Sequence, residues 1–166
     1  MTRNPLIILA IAFIMAACTQ KNETSISVIP YPNSVEIKSG SFNASGASFH
    51  CDSLIDETSL EIIDAFAQQL SSVTGKKSPL DKKISSCGFN FTLDTTLGRE
   101  AYNLSIRSNG VDVKASALNG FNYAIQTIKQ MLPEQIYGKN PAEEIEWSLQ
   151  CAEIYDSPRF GYRGMH

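Results

Sequence analysis

The residues AYNLSIRSNGVDVKA, 101–115, decide the architecture of this chain. Tyr102, Leu104 and Ile106 alternate with polar residues, Asn109-Gly110 is a dipeptide that closes tight hairpins, and Val111, Val113 and Ala115 return with the same period of two. The spacing predicts two antiparallel strands, each with one apolar face. Such a face must be covered by a second layer, and the next residues supply one. Residues 120–132 place Phe121, Ala124, Ile125, Ile128 and Met131 on one side of a helix that Pro133 stops. Gly120 and Ala124 are small and four apart, so another element can come close on that face.

Working back from the hairpin, residues 89–93 alternate as a further strand, preceded by a polar loop carrying Lys76, Lys77, Lys82 and Lys83. Residues 59–74 predict a second helix, with Leu60, Ile63, Ala67 and Leu70 at helical spacing and Ile62, Phe66 and Val73 widening the stripe. Thr58 and Glu61 have the spacing of a capping box, and Gly75 suits the end. Asp56 and Glu57 lie just ahead. Two adjacent carboxylates could act as acid and base, but here the positive end of a helix accounts for them. Earlier still, residues 34–38 alternate through Val35 and Ile37, Gly40 permits a turn, and Phe42, Ala47 and Phe49 suggest two more short strands, together an antiparallel meander. Pro30 and Pro32 bracket Tyr31 in a stiff extended lead-in. After Pro133 a long connection carries Glu143, Glu144 and Glu146, solvated, beside Trp147, expected in the core. The fold class is α+β: a small two-layer domain, mostly antiparallel sheet with two helices packed on one face.

At the front, Arg3 precedes an uncharged apolar run, residues 6–17, with Ala16 and Ala17 before Cys18. A run of about a dozen residues is too short for a span of roughly 20, and the pattern is that of a bacterial lipoprotein signal. Residues 1–17 are then the signal peptide, Cys18 carries the lipid, residues 18–26 form a polar tether, and residues 27–155 form the domain. The protein is expected to be exported and membrane-anchored, on the periplasmic or cell-surface face, with the outer membrane preferred. The chain of 166 residues has a formal net charge of -3. Without the signal it suffices for one core, and it offers no basic face for nucleic acid. With Cys18 lipidated, Cys51, Cys87 and Cys151 permit at most one internal disulfide. Cys51 with Cys87, each at the edge of a predicted strand, is the first pairing to expect; buried free thiols are the alternative. No zinc spacing occurs, and neither metal nor cofactor is expected. His50, on a strand, is read as structural.

Three segments resemble the N-terminal region of family 20 glycoside hydrolases, the β-N-acetylhexosaminidases. They are Glu100-x-Tyr102-x-Leu104, the helix from Gly120 to Gln126-Thr127, and the run from Ile154 through Asp156, Pro158, Arg159, Phe160 and Tyr162 to Arg163-Gly164. The lead-in Ile29-Pro30-Tyr31-Pro32 also fits the family's usual start. The resemblance implies a two-part enzyme, a small α/β domain followed by a (β/α)8 barrel of roughly 250 residues that carries the chemistry. Residues 156–166 would begin that barrel.

In the family, the substrate's own 2-acetamido oxygen attacks the anomeric carbon, an aspartate orients it, and the neighbouring glutamate is acid and then base, an exception to the usual two-carboxylate scheme. That Asp-Glu pair follows a His and glycines; Asp56-Glu57 lacks those neighbours, so no catalytic residue is assigned here. Arg163 matches the family's sugar-binding arginine, whose paired donors suit two adjacent hydroxyls, but only within a complete barrel. In this chain residues 162–166 are expected to fray, leaving Arg163 solvated and His166 a remnant. The implied function is the non-catalytic N-terminal domain of a β-N-acetylhexosaminidase, inactive alone. Its partners are a lipid anchor and the catalytic barrel, with a glycan reached only through the parent enzyme. The alternative is a stand-alone surface module binding a glycan or protein.

Overall fold

A computed structural model describes residues 26–83 and 85–161. The expectations for the signal, Cys18, Arg163 and His166 fall outside the described residues. In chain order the elements are β1 (Ser34–Asn43), β2 (Phe49–Cys51), α1 (Glu57–Thr74), β3 (Leu80–Asp81), β4 (Gly88–Leu93), β5 (Tyr102–Arg107), β6 (Gly110–Ala115), α2 (Leu118–Met131), a 3-10 turn (Glu134–Tyr137) and β7 (Ser148–Asp156). The strands form one seven-stranded sheet in the order β1-β7-β5-β6-β4-β2-β3.

Register makes one face apolar and the other polar. Ile37, Ala152, Ile106, Val111, Phe89, Phe49 and Leu80 lie side by side across all seven strands, and Val35, Ile154, Leu104, Val113, Phe91 and Cys51 form the next row. Both helices cover this face. Phe66 of α1 packs edge-on against Phe49 and Phe89, and Phe121 of α2 lies against Phe91. Each phenylalanine so buried stabilises the fold by roughly 1.5–3 kcal/mol. The intervening positions form a polar row facing away from the helices: Glu36, Glu153, Ser105, Asp112, Asn90, His50 and Asp81.

The α+β class, both helices and the hairpin are as expected, and Trp147 is buried. The hairpin loop is Ser108 and Asn109, with Gly110 already paired to Arg107. Other expectations change. The pairings divide evenly: β1–β7, β7–β5 and β5–β6 are antiparallel, whereas β6–β4, β4–β2 and β2–β3 are parallel. No meander forms at the start, because β1 pairs with β7 at one edge while β2 inserts near the other. The long connection before residue 156 contains β7, and the lysine loop contains the short edge strand β3.

Helix α1 begins earlier than the capping box implied. Asp56 is its N-cap, its carboxylate accepting from Ser59 N at 2.9 Å and from Ser59 Oγ at 2.7 Å. These bonds hold the Asp56 carboxyl below the usual aspartate range, so the Asp56-Glu57 pair is structural. Gly75 ends the helix at φ 67, a left-handed conformation that glycine adopts without strain.

The Cys51–Cys87 disulfide is not made. Cys51, Cys87 and Cys151 are free, the first and last buried and Cys87 exposed. Cys51 sits opposite Phe91 in the β2–β4 register, four residues from Cys87. At about 3.3 Å per residue that is about 13 Å, beyond the roughly 7 Å a disulfide spans. Burial pushes the Cys51 thiol up to about 12.

Candidate functional site

Most of the segments singled out in the sequence converge on one edge of the domain. The residues just ahead of β1, the outer side of α2 and the residues leaving β7 enclose a cleft of about 630 Å³. Its walls include Tyr31, Asn33, Tyr102, Gln126, Arg159 and Phe160. Val28 is buried and fastens the incoming chain to the core, while Ile29 and Tyr31 stand 84% and 59% exposed. Phe160, on the outgoing side, is 73% exposed.

The floor is built by β5 and α2. Tyr102 is buried, and its hydroxyl pairs with Thr127 Oγ1 at 2.6 Å. Burial, with a smaller contribution from the Asp156 carboxylate, pushes the Tyr102 phenol up to about 12, against a downward pull from the Thr127 hydrogen bond. The phenol is therefore neutral at physiological pH and serves as a structural hydrogen-bonding group. Beside it Tyr123 Oη donates to Glu100 Oε1 at 3.1 Å. The two quoted patterns thus lock together: Glu100 and Tyr102 from one hold Tyr123 and Thr127 from the other. Gly120 makes this approach possible. A Cβ there would lie 2.8 Å from Ala115 Cβ and closer still to the Ala101 carbonyl oxygen.

The two chain segments at the rim are tied to the domain by side-chain amides. Gln130 accepts from Ile29 N at 2.8 Å and donates to Ile29 O at 3.2 Å. Asn33 N donates to Asp156 Oδ1 at 3.1 Å, and Asn33 Nδ2 donates to Ser157 O at 2.6 Å and Ser157 Oγ at 3.2 Å. Asn33 Oδ1 accepts from Arg159 Nε at 3.1 Å. No sequence pattern pointed to Asn33 or Gln130, because their partners lie 101 to 126 residues away.

Chemically the cleft is a surface for packing and hydrogen bonding. Asp156 is the one carboxylate among its described lining residues, and no second acid or base faces it there. Elsewhere, His50 sits on the polar face, with Nε2 2.7 Å from Ser48 Oγ and Nδ1 buried without a partner among the described residues. No group of three or more His, Cys, Asp or Glu that could hold a metal occurs among the described residues. No described helix is long and apolar enough to cross a membrane.

Comparison with known proteins gives a consistent set of likenesses. Residues 25–157 match the family described as glycosyl hydrolase family 20, domain 2. A β-hexosaminidase subunit A2 of Dictyostelium discoideum is 25% identical over 96% of this chain and 29% of its own length. A β-hexosaminidase of Porphyromonas gingivalis is 25% identical over 90% of this chain and 20% of its own. The solved family 20 β-N-acetylhexosaminidase of Streptomyces coelicolor A3(2) superposes with a TM-score of 0.74 at 26% identity, over 82% of this chain and 27% of that one. This chain therefore spans less than a third of the length of each.

Proposed function

The chain belongs to the glycosyl hydrolase family 20, domain 2 family, and from that premise we propose that it serves as the non-catalytic N-terminal domain of a β-N-acetylhexosaminidase, a hydrolase of terminal non-reducing N-acetylhexosamine residues. The observation that carries the reading is the cleft. Described residues from each of the segments resembling that family meet there, among them Tyr102, Thr127 and Arg159, and among the described lining residues they present contact groups without a second acid or base.

The partner that fits is the catalytic barrel. Lys129 is the single charged residue of α2, whose exposed positions include Asn119, Asn122 and Gln126. The opposite sheet face carries Glu36, Arg107, Asp112, Lys114 and Glu153. Charge is depleted where protein surfaces are covered and retained where they face water, so the α2 surface, rather than the sheet face, is the docking side. Purified chain incubated with 4-nitrophenyl N-acetyl-β-glucosaminide is expected to release no nitrophenol; turnover that persists through purification would overturn the assignment.

We propose further that residues 1–17 are a lipoprotein signal and that Cys18 carries the anchor. Arg3, the uncharged run over residues 6–17 and the Ala16-Ala17-Cys18 step support this. Cys18→Ala should move the protein from the membrane fraction to the soluble fraction. An unchanged distribution would dismiss the anchor.

A further inference from the structure

Residues 29–33 combine two properties that seldom occur together. Apart from the buried Pro32 they are exposed, with Ile29 and Tyr31 mostly in solvent, yet their polar groups are heavily engaged. Gln130 captures both backbone groups of Ile29, and Asn33 directs its backbone N–H, its amide donors and its amide oxygen at residues 156–159. Between the buried Val28 and the buried Pro32, Ile29 and Tyr31 have little apolar contact, and a stretch held mainly by hydrogen bonds opens locally at low cost. Pro30 and Pro32 lie between the two clamps and fix φ at two of the three intervening positions. The link from Ile29 to Asn33 is consequently stiff, and a displacement at one clamp is carried to the other.

We propose that residues 29–33 are a strap, seated on α2 by Gln130, whose seating controls the order of the outgoing residues 156–159. When Gln130 releases Ile29, the stiff link shifts, the Asn33 bonds to Ser157 and Arg159 are lost, and the outgoing segment loosens with it. Both segments wall the same cleft, so the cleft exists as a shaped surface only while the strap is down. The coupling requires no partner and holds whether or not the chain docks on a catalytic barrel.

Trypsin reads the outgoing segment directly, because Arg159 precedes Phe160 at its end. The purified full chain, Gln130→Ala and Asn33→Ala are digested under identical native conditions, and cleavage at Arg159–Phe160 is followed by mass. Cleavage after the exposed Lys82 and Lys83 serves as the internal reference. Asn33→Ala removes three side-chain hydrogen bonds to residues 157 and 159 and should accelerate the Arg159 cut by about a hundredfold, since about fivefold is expected for each hydrogen bond lost from a locally opening segment. The decisive variant is Gln130→Ala, whose hydrogen bonds reach Ile29 and none of residues 156–159. With two hydrogen bonds lost, it should accelerate the same cut by about 25-fold, with the lysine cuts and the thermal midpoint unchanged. A wild-type rate at Arg159 in Gln130→Ala would overturn the strap, leaving two independent clamps. A parallel rise at the lysines would overturn it too, by showing general unfolding.

Discussion

Replacing Gly120 by alanine sets two effects of known sign against each other. In an exposed helix interior, alanine in place of glycine is favourable by about 1 kcal/mol. Gly120, however, is buried in the first turn of α2, where a Cβ would sit 2.8 Å from Ala115 Cβ and nearer still to the Ala101 carbonyl oxygen. Carbon atoms rest at about 3.5–4.0 Å, so α2 would have to lift by the better part of an ångström. The neighbours are a backbone carbonyl and a methyl held in the sheet, neither of which can swing aside. Overpacking of this kind costs about 3 kcal/mol at the upper end of its usual range, which leaves a net loss of about 2 kcal/mol after the propensity gain. For a domain of this size that corresponds to a fall of about 8 °C in melting temperature, at about 4 °C per kcal/mol. Circular dichroism at the helix band, scanned with temperature, measures it. Gly98→Ala is the control: a Cβ there meets only Ala101 Cβ, at 3.9 Å, and stability should stay within about 0.5 kcal/mol. A Gly120→Ala protein that melts at or above the parent temperature would refute the close approach and the packing built on it.

Three further outcomes are expected. Tyr102→Phe removes the partner of Thr127, which is 5% exposed, and should cost about 1–2 kcal/mol in urea unfolding; adding Thr127→Val should recover most of it, because no buried hydroxyl is then left alone. Asp56→Ala should cost about 1 kcal/mol through loss of the N-cap. Because the folded-state pKa of Asp56 is lowered, its stabilisation is complete above the unfolded value of about 3.9 and disappears as pH falls through the folded value, so a pH series of melts should show parent and variant converging only on acidification. Among Cys51, Cys87 and Cys151, alkylation of the native protein should modify Cys87 promptly and the two buried thiols only on unfolding, as peptide mapping would show.

Local periodicity carried much of the fold. Both helices and the β5–β6 hairpin are written in spacings of three to four and of two. Strand β7 escaped because its alternation breaks: Leu149 and Cys151 are buried, then Ala152 and Ile154. The break sits where the register against β1 jumps between Ile37 and Ser41, with Gln150 Nε2 donating to Lys38 O at 2.6 Å and Gly40 O at 3.0 Å. A strand that changes phase has no single period to detect. The parallel pairing of β2, β4 and β6 was equally hidden. Closeness in sequence favours hairpins, whereas β1 and β2, separated by five residues, end on opposite sides of the sheet. Asp56 took the cap from Thr58 because the helix starts at Glu57. In the site, several of the quoted residues, among them Tyr102, Gln126, Thr127, Asp156, Arg159 and Phe160, line the cleft, but Asn33 and Gln130 act across separations that no local pattern encodes.

The incoming and outgoing segments lie side by side at one edge, joined through Asn33. That makes the domain a cassette. A unit whose two ends meet can be spliced into a host polypeptide, or cut out of it, without dragging the flanking sequence to a new place. It also makes the chain order dispensable. A short flexible linker across this edge, with new termini opened at the exposed Ser108 and Asn109, would leave every strand with its present neighbours and should yield a circular permutant with the same fold.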